Sequence, residues 1–324
     1  MNVLTGHTCH GATGWPKLNF TTLPCHQHQP SPRQYRRRSL STMASLSPPI
    51  MVNSCTGKMG HATAEAVVRA GLQLVPISFT GASEAVAVGN VGVSGIPVEL
   101  VHPGERQSAM ESVKAQYPGL VLIDFTLPSV VNDNVAFYAR NKIPFVVGTT
   151  GGDREKLMQD ARASNCYAVI APQMGKQVVA FQATLELMAK EFPGAFSGYK
   201  LEVTESHQRQ KADTSGTAKA VVASIAKLGA PITEDEIVKV RDASTQMESI
   251  GVPEEHLSGH AFHTYRLTSA DGNVEFVFQH NVCGRSIYAE GTVDAALFLA
   301  NKVQEKSEQR IFDMIDVLKA GAMR

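Results

Sequence analysis

From residue 50 onward, short apolar runs alternate along the chain with longer amphipathic segments. The apolar runs predict strands and the amphipathic segments predict helices between them, which is the pattern of consecutive βαβ units. We expect strands at 50–53, 72–79, 98–101, 120–124, 143–148 and 167–171, and helices at 59–70, 129–141 and 153–163. This order predicts the α/β fold class, with a doubly wound parallel sheet whose loops lie at the carboxyl ends of its strands.

After about residue 175 the pattern changes. A helix at 178–191 is followed by strict polar–apolar alternation at 200–205, which predicts a strand with one buried face. Further on, the apolar segments 261–267 and 274–282 flank Ala270-Asp271-Gly272-Asn273, which is typical of a hairpin turn. Alternate residues of the second arm share one face: Val274, Phe276, Phe278, His280 and Val282. We therefore expect a second α+β domain built on a mixed sheet, closed by amphipathic helices at 292–303 and 311–319 that can pack back on the first domain.

The composition excludes several classes of protein. The 30 basic side chains balance the 30 acidic ones, so no net charge attracts the chain to nucleic acid or to a membrane surface. No apolar run approaches the roughly 18 residues of a spanning helix, so we expect no membrane protein. The five cysteines are an odd number without paired spacing, which argues against a disulfide framework and for a reducing compartment.

The first 50 residues differ in composition from the rest of the chain. They contain no Asp or Glu, since the first acidic residue is Glu65. Five basic residues therefore give them a charge of +5: Lys17, Arg33, Arg36, Arg37 and Arg38. An acid-free, hydroxyl-rich segment without an apolar core is typical of a transit peptide, so we interpret 1–49 as a disordered transit peptide. A disordered basic tail is the alternative, and composition does not distinguish plastid from mitochondrion.

The first predicted strand runs into a glycine-containing turn from which a helix opens. In such a turn the backbone approaches a pyrophosphate, whose charge the helix amides and dipole balance. The turn predicts a Rossmann-type dinucleotide site, although Ser54 stands where the fingerprint has its first glycine, and an ordinary glycine turn is the alternative. The candidate cofactor contacts here are Ser54, Cys55, Thr56, Gly57, Lys58 and Met59.

The residues after the second strand bear on the coenzyme. NAD-specific folds usually have an acid about 20 residues after the glycines, where it binds the ribose 2′-hydroxyl. The chain has Phe79-Thr80-Gly81-Ala82 in this region and a cation, Lys58, in the turn. This pattern favours NADPH, with Thr80 as a further cofactor contact. NADH stays an alternative, because Glu84 lies close in sequence.

Two further strand ends combine polar residues with glycine or an aromatic ring. Asp124 and Phe125 end one predicted strand, and Gly148, Thr149 and Thr150 end another. Open α/β sheets bind ligands at these ends, so all five are candidate cofactor contacts. Ordinary turn chemistry, with Asp124 as a cap, is the alternative.

The segment 205–218 has the densest set of reactive groups. It places an imidazole, two cations and a Ser-Gly-Thr turn before an apolar helix. The amides at the helix start and the Thr217 hydroxyl can hold a carboxylate, while His207 and Lys211 can donate protons. The segment therefore predicts a site for an anionic small molecule. A solvated basic loop with a helix cap is the alternative.

Taken in order, these motifs resemble those of the dihydrodipicolinate reductases. The resemblance covers nearly the whole chain after residue 50, and the chain is similar to the plant branch, which is plastid-targeted and serves lysine synthesis by the diaminopimelate route. The matching segments are 57–60, 124–126, 148–151, 171–174, 205–211, 215–218 and 311–318.

The resemblance implies a role for individual residues. His207 falls on the family's proton donor or acceptor, Lys211 on its proton-donating lysine, and Gly216 with Thr217 on its contacts to a substrate carboxylate. Gln208 stands where many bacterial members have a second histidine that touches substrate, and an amide can still donate a hydrogen bond there. With Ser215 these residues form the candidate substrate site. Contacts near the nicotinamide fall on Gly148, Thr149, Thr150, Ala171, Gln173 and Met174.

The same resemblance implies the reaction and its setting. It implies reduction of the dicarboxylate 4-hydroxy-tetrahydrodipicolinate to tetrahydrodipicolinate with NADPH or NADH, in a plastid-stroma enzyme that forms a homo-oligomer. We then expect a dinucleotide-binding domain at 50–175, a substrate-binding and oligomerisation domain at 176–290, and C-terminal helices at 291–324 that pack on the first domain. Another two-domain NADP-dependent dehydrogenase, such as a semialdehyde enzyme with a reactive cysteine, is one alternative. A catalytically silent NADPH-binding regulatory protein is the other.

Two other sets of residues are assigned structural roles. The spacing of His256, His260 and His263 could mimic metal ligands, but no acid or cysteine completes the set. We therefore interpret them as a loop entering a strand and expect no metal site. Cys55, Cys166 and Cys283 lie in or beside apolar runs, which is typical of buried structural thiols.

Overall fold

The computed structural model describes residues 47 to 321, apart from the side chain of residue 84. The segment interpreted as a transit peptide lies almost wholly outside the described residues. Within them, the predicted fold class is confirmed, because a parallel sheet with helices is followed by a mixed sheet with helices of its own. No described helix is both long and apolar enough to cross a membrane.

The elements up to residue 170 alternate between strand and helix, except that β3 leads directly into β4. In chain order they are β1 (Ile50–Asn53), α1 (Lys58–Arg69), β2 (Ile77–Phe79), α2 (Ala82–Val88), β3 (Asn90–Val93), β4 (Ile96–Val101), α3 (Arg106–Gln116), β5 (Val121–Asp124), α4 (Val131–Arg140), β6 (Phe145–Val147), α5 (Arg154–Ala163) and β7 (Ala168–Ile170).

The elements after residue 170 form the mixed sheet and the closing segment. They are α6 (Lys176–Glu191), β8 (Lys200–His207), α7 (Gly216–Lys227), β9 (Val238–Val240), α8 (Ala243–Glu248), β10 (His260–Thr268), β11 (Glu275–Cys283), α9 (Ser286–Gln304), β12 (Ile311–Phe312) and α10 (Met314–Lys319). Short 3₁₀ turns occur at Pro103–Glu105, Glu234–Glu236 and Glu254–His256.

The parallel sheet has the order β1-β5-β6-β7-β12 and is buried on both faces. Successive residues of β1 point to opposite faces, so Ile50 and Val52 join the core beneath α1 and α9, whereas Met51 joins the core under α3, α4 and α5. The carboxyl ends of β1, β5, β6 and β7 consequently meet along one edge. This edge carries the predicted cofactor motifs.

A second, three-stranded sheet with the order β2-β4-β3 lies beside β1. The predicted strand 72–79 is shorter than expected, because Leu74 bridges Ile50 while only Ile77–Phe79 pairs with β4. Pro76 lies between the two pairings, and proline has no N–H with which to continue a ladder. The hairpin of β3 and β4 was not predicted; its turn, Ser94-Gly95, has positive φ at both residues.

The mixed sheet has the order β11-β10-β8-β9, in which β8 and β9 are parallel and the other pairs are antiparallel. The predicted hairpin of β10 and β11 is confirmed. One face of the sheet packs against α6 and α7 through Val203, Tyr265 and Leu267. The register places Glu205, His263 and His280 side by side on this same face, so polar groups continue the row of apolar ones.

The closing segment differs from the prediction at two points. Helix α9 begins at Ser286, six residues earlier than expected, and packs on α1 and on the parallel sheet. Ile311–Phe312 form a strand instead of the first turn of a helix, because they pair with β7 and complete the parallel sheet. The following helix begins after Asp313, whose carboxylate accepts hydrogen bonds from the Ile315 and Asp316 amides.

Candidate active site

The turn between β1 and α1 is closed by backbone contacts. Ser54 has a φ of +59°, so this residue adopts the conformation that the first glycine of the fingerprint would adopt more easily. The Gly57 amide donates to the Ser54 carbonyl at 2.9 Å. A Cβ on Gly60 would lie 2.0 Å from the same oxygen, so only glycine lets α1 approach the strand this closely. No side chain caps the start of α1, and a dinucleotide phosphate fits this turn and helix end.

The side chains of the turn divide into a buried one and several that face a cleft. Cys55 is buried, donates its S–H to the Val52 carbonyl, and can meet a cofactor only through its backbone. A cleft of about 890 Å³ opens beside the turn and includes Thr56, Lys58, His61, Ser258 and Arg285 in its lining. Met59 is half-buried, and Thr80 follows β2 at the same sheet edge.

Asp124 ends β5 and is fully buried. One oxygen of its carboxylate accepts from the Thr126 amide and hydroxyl at 2.8 and 2.6 Å, and the other accepts from Asn134 and Tyr138. Burial, with Asp124 next in importance, raises the pKa of the Tyr138 phenol well above its ordinary value. The Asp124 side chain therefore orients the strand end, as the capping alternative expected.

The strand ends at Phe125 and Gly148 pack on each other. A Cβ on Gly148 would lie 2.3 Å from the Phe125 ring, so glycine lets the ring lie across the end of β6. The Thr149 hydroxyl donates to the Thr126 carbonyl at 2.9 Å, and Thr150 is exposed next to it. These contacts join the two strand ends into one surface beside the turn.

The residues after β7 connect the two parts of the predicted site. Ala171 and Met174 are buried, while Gln173 is partly exposed. The Gln173 amide oxygen accepts from the Gly175 N–H at 2.9 Å, and its nitrogen donates to the Thr217 hydroxyl at 3.2 Å. A cofactor motif and the predicted carboxylate motif, 44 residues apart in sequence, thus touch.

The segment after β8 curves over the start of α7. Ser215 precedes the helix, and no side chain caps the amides that Gly216 and Thr217 contribute to its first turn. The Lys211 side chain is 22% exposed and its ammonium lies 2.8 Å from Asp213 Oδ1. Gln208 is half-buried beside them. The loop carries an ammonium group and leads into a helix start without a side-chain cap, and both are groups that can bind an anion.

His207 is buried at the end of β8 and lies against a second imidazole. Its Nε2 atom lies 3.2 Å from Nε2 of His263, and the two rings meet edge to face. Burial, then the charges of Arg241 and Lys211, lowers the pKa of His207 to about 4. Burial, followed by His207 and His280, lowers the pKa of His263 to about 2. Both rings are consequently neutral at physiological pH.

Among the described residues, one group of three could hold a metal ion. The ligand atoms of Glu205, His207 and His263 lie within 4.8 Å of one another. The Glu205 carboxylate, however, is already paired with Arg241, whose charge opposes a bound cation. The geometry favours a closed polar cluster. The histidine set weighed from sequence is different, since His260 begins β10 and bonds to Ser206 and to the His256 carbonyl, as a loop entering a strand would.

The cysteines within the described range are structural. Burial raises the pKa of Cys55 and of Cys166 to about 11, and burial also raises that of Cys283. Thiols with such pKa values are poor nucleophiles at neutral pH. The interpretation of Cys55 and Cys166 as buried thiols is confirmed, whereas Cys283 is half-buried.

Sequence reasoning assigned no part in the site to several residues that the fold brings to it. Glu205 belongs to the recognised motif, and Arg241 and His263 are 36 and 56 residues from their partners Glu205 and His207. Arg285 lines the cleft beside the cofactor turn. The alternation at 200–205 predicted that one face of β8 is buried, but no local pattern indicates that an inward polar residue has a partner on another strand.

Comparison with known proteins agrees with this architecture. The family model "Dihydrodipicolinate reductase, N-terminus" matches residues 48–174, and "Dihydrodipicolinate reductase, C-terminus" matches residues 177–318. A rice protein, "Probable 4-hydroxy-tetrahydrodipicolinate reductase 2, chloroplastic", is 52% identical over 98% of this chain and 94% of its own length. An Arabidopsis thaliana protein, "4-hydroxy-tetrahydrodipicolinate reductase 1, chloroplastic", is 56% identical over 85% of this chain and 79% of its own.

A solved structure shows the same fold. It is described as "Dipicolinate bound Dihydrodipicolinate reductase from Paenisporosarcina sp. TG-14" and has a TM-score of 0.57 with 20% identity. The match covers 83% of this chain and 98% of that one. Both lobes of the described fold are therefore shared with a structure of known architecture.

Proposed function

The chain belongs to the dihydrodipicolinate reductase family, and we propose that it reduces 4-hydroxy-tetrahydrodipicolinate to tetrahydrodipicolinate, with loss of the 4-hydroxyl as water, by using NADPH, with NADH as the alternative coenzyme. Its reaction is an NAD(P)H-dependent step of lysine biosynthesis. The observation that carries this site assignment is the Gln173–Thr217 hydrogen bond, which brings the cofactor edge of the parallel sheet against the start of α7.

The coenzyme would be held mainly by backbone. The Ser54–Lys58 turn and the uncapped start of α1 would receive its phosphates, with Lys58 as a nearby cation. A bound nicotinamide coenzyme supplies the hydride. Gly148, Thr149 and the 171–174 segment lie at the same edge and would orient the reactive ring. The preference for NADPH rests on Lys58 and on the acid-free segment 79–82.

The substrate would be held by the segment after β8. Amides of Gly216 and Thr217 would bind one carboxylate, and the Thr217 hydroxyl, fixed by Gln173, would add a hydrogen bond. Lys211 would offset the charge of the dicarboxylate and donate the proton that the reduced ring requires. Ser215 and Gln208 would complete the contacts.

His207 would act differently from Lys211. Because the pKa of His207 is lowered to about 4, little of its ring is in the protonated imidazolium form at neutral pH. The neutral ring can accept or relay a proton, but it is a poor source of one. The proton donor in this proposal is therefore Lys211. His207 would orient substrate and accept a hydrogen bond from it.

The same proposal includes location and assembly. The relatives from rice and Arabidopsis are named chloroplastic, and we place the chain in the chloroplast stroma. Strand β11 lies at an edge of the mixed sheet, and Val274, Phe276 and Val277 at and beside it are each more than 40% exposed. A second copy of the chain would cover these residues in a homo-oligomer.

The test follows oxidation of the coenzyme directly. The absorbance of NADPH and of NADH is recorded separately while an upstream enzyme generates the substrate, with the generating enzyme omitted as the control. We expect substrate-dependent oxidation that is faster with NADPH. Tight NADPH binding without oxidation would instead indicate the silent regulatory protein.

The semialdehyde-type dehydrogenase is less well supported. That chemistry needs a reactive thiolate, whereas burial raises the pKa of the thiols of Cys55 and Cys166. Inactivation by iodoacetamide that substrate prevents would favour this alternative.

A further inference from the structure

A buried carboxylate lies directly beneath the proposed substrate site. Glu205 is completely buried on β8, and its Oε2 atom accepts the Ser215 N–H at 2.9 Å. Ser215 is the residue from which α7 begins. Glu205 therefore fixes the position of the helix start whose next amides would bind a carboxylate.

A single guanidinium binds this carboxylate and the loop above it. Arg241 follows β9, and its Nη2 donates to Glu205 Oε1. Its Nε donates to the Lys211 carbonyl at 2.7 Å, and Nη1 donates to the carbonyls of Val240 and Glu205 at 3.1 and 3.4 Å. Nη2 also lies 3.4 Å from the Asp213 carbonyl. One planar group thus joins β8, the end of β9 and the loop that carries Lys211.

The charges of this pair bear on an anionic ligand. A buried, unpaired carboxylate is costly and would repel a dicarboxylate bound at the neighbouring helix start. Arg241 offsets that charge, and its guanidinium also restrains the backbone of Lys211 and Asp213 by hydrogen bonds to their carbonyls. The pair thereby combines two effects: it removes a repulsion and it makes the loop rigid.

We propose that Glu205 and Arg241 are positioning residues that hold the 211–217 loop in its dicarboxylate-binding shape. The inference rests on the proposed function, because it assumes that this loop binds the substrate. In this proposal neither Glu205 nor Arg241 touches the substrate. They act through Lys211 and Ser215.

Other ion pairs of the chain show what is specific to this one. Lys176 and Asp294 form a buried pair that joins α6 to α9. Arg266 and Glu275 pair on the mixed sheet but are 42% and 47% exposed. In the Arg241 pair the carboxylate is fully buried, and the guanidinium bonds to backbone carbonyls of the 211–217 loop.

The first test replaces the planar guanidinium of Arg241 with the ammonium group of a lysine. Arg241→Lys keeps a cation near Glu205, but an ammonium cannot bond to Glu205 and to the loop carbonyls in the same plane. We expect the affinity for dipicolinate, used as a flat dicarboxylate probe, and kcat/KM for substrate each to fall about tenfold or more. The NADPH dissociation constant should change less than about twofold. Arg266→Lys is the matched control and should leave all three values unchanged.

The second test asks whether the guanidinium itself is what the loop needs. In Arg241→Ala, low millimolar guanidinium should restore part of the dipicolinate affinity, whereas equal urea should not. Unchanged dipicolinate affinity in Arg241→Lys, or an equal loss of NADPH and dipicolinate affinity, would overturn the inference. If the wild-type protein also shows no activity with the substrate, the result would instead count against the proposed function.

Discussion

The cofactor turn after β1 and the substrate loop after β8 (residues 208–217) are both proposed anion sites at a helix start, but they are built differently. The turn depends on backbone: Ser54 and Gly57 bond within three residues, and Gly60 lets α1 pass close to them. The substrate loop depends on side chains from distant strands, since Glu205 and Arg241 support it from below. A site built from backbone leaves a local sequence signal, and one built from distant side chains does not.

The two regions also differ in the state of their ionisable groups. At the strand ends near the turn, the Asp124 carboxylate accepts hydrogen bonds from neighbouring residues. Beneath the substrate loop lie an ion pair and two imidazoles, which burial keeps neutral. We therefore expect mutations in the first region to change coenzyme affinity and stability. Mutations in the second should change turnover, substrate affinity and the response to pH.

The largest effect is expected at Lys211. In Lys211→Met the side chain keeps its length but loses its proton, so kcat should fall by about 10²- to 10⁴-fold. The dissociation constant of NADPH should stay within about twofold of the wild-type value, because Lys211 belongs to the substrate loop and not to the cofactor turn. Steady-state kinetics and fluorescence titration with NADPH give the two values.

A surface lysine of the preceding strand provides the control. Lys200 lies at the start of β8 and pairs with Glu202 in solvent, so Lys200→Met should leave kcat unchanged. If Lys211→Met turns over at a near-normal rate, the proton must come from elsewhere and the assignment of the donor is wrong.

A smaller effect is expected at Gly60, and it should concern binding of the coenzyme instead of turnover of the substrate. In Gly60→Ala the added Cβ would meet the Ser54 carbonyl at 2.0 Å, so α1 must move away from the turn. We expect the NADPH dissociation constant to rise about tenfold or more and the free energy of unfolding to fall by about 1–3 kcal/mol. Dipicolinate affinity should change little.

Gly92→Ala is the matched substitution, because a Cβ there meets open space on β3. It should leave NADPH affinity and stability nearly unchanged, as urea titration at constant coenzyme would show. Normal coenzyme affinity in Gly60→Ala would mean that the turn does not hold the phosphates.

The smallest effect concerns acid stability. The pKa of His263 is lowered to about 2 in the folded chain, whereas an unfolded histidine has a pKa near 6.5. Below about pH 6.5 the unfolded state thus binds a proton that the folded state does not, so stability falls as pH falls, at up to about 1.4 kcal/mol per pH unit. His263→Leu removes this contribution and should give a shallower decline between about pH 6 and pH 4.

Urea unfolding of both proteins along a pH series measures that difference. Near about pH 8 the ring is neutral in both states, so the two stability curves should run parallel there. Parallel curves at acid pH as well would show that His263 is not buried in its neutral form.

Most of the architecture could be predicted because its cause is local. The strand cores of β1, β5, β6 and β7 are apolar runs, and their predicted positions are confirmed with small shifts at the ends. The errors arose where a partner element decides the conformation. Ile311–Phe312 is strand because β7 is available to pair with it, and the 72–79 run breaks where it leaves one sheet for the other at Pro76.

The candidate site was predicted in part for the same reason. His207, Lys211 and the Ser215–Thr217 turn belong to one continuous segment, so their chemistry is readable together. Whether they bind and react as assigned stays a prediction. The sequence could not predict that the His207 ring is neutral, because its lowered pKa depends on burial by the mixed sheet and on the charges of Arg241 and Lys211.

The order of apolar and polar residues by itself determined the two lobes, the glycine turn and the reactive segment, because periodicity and backbone freedom act over a few neighbouring residues. Tertiary structure alone decided which polar group meets which: Gln173 with Thr217, Glu205 with Arg241, His207 with His263. Such partners lie 36 to 56 residues apart, and only the pairing of strands and the packing of helices brings them within hydrogen-bonding distance.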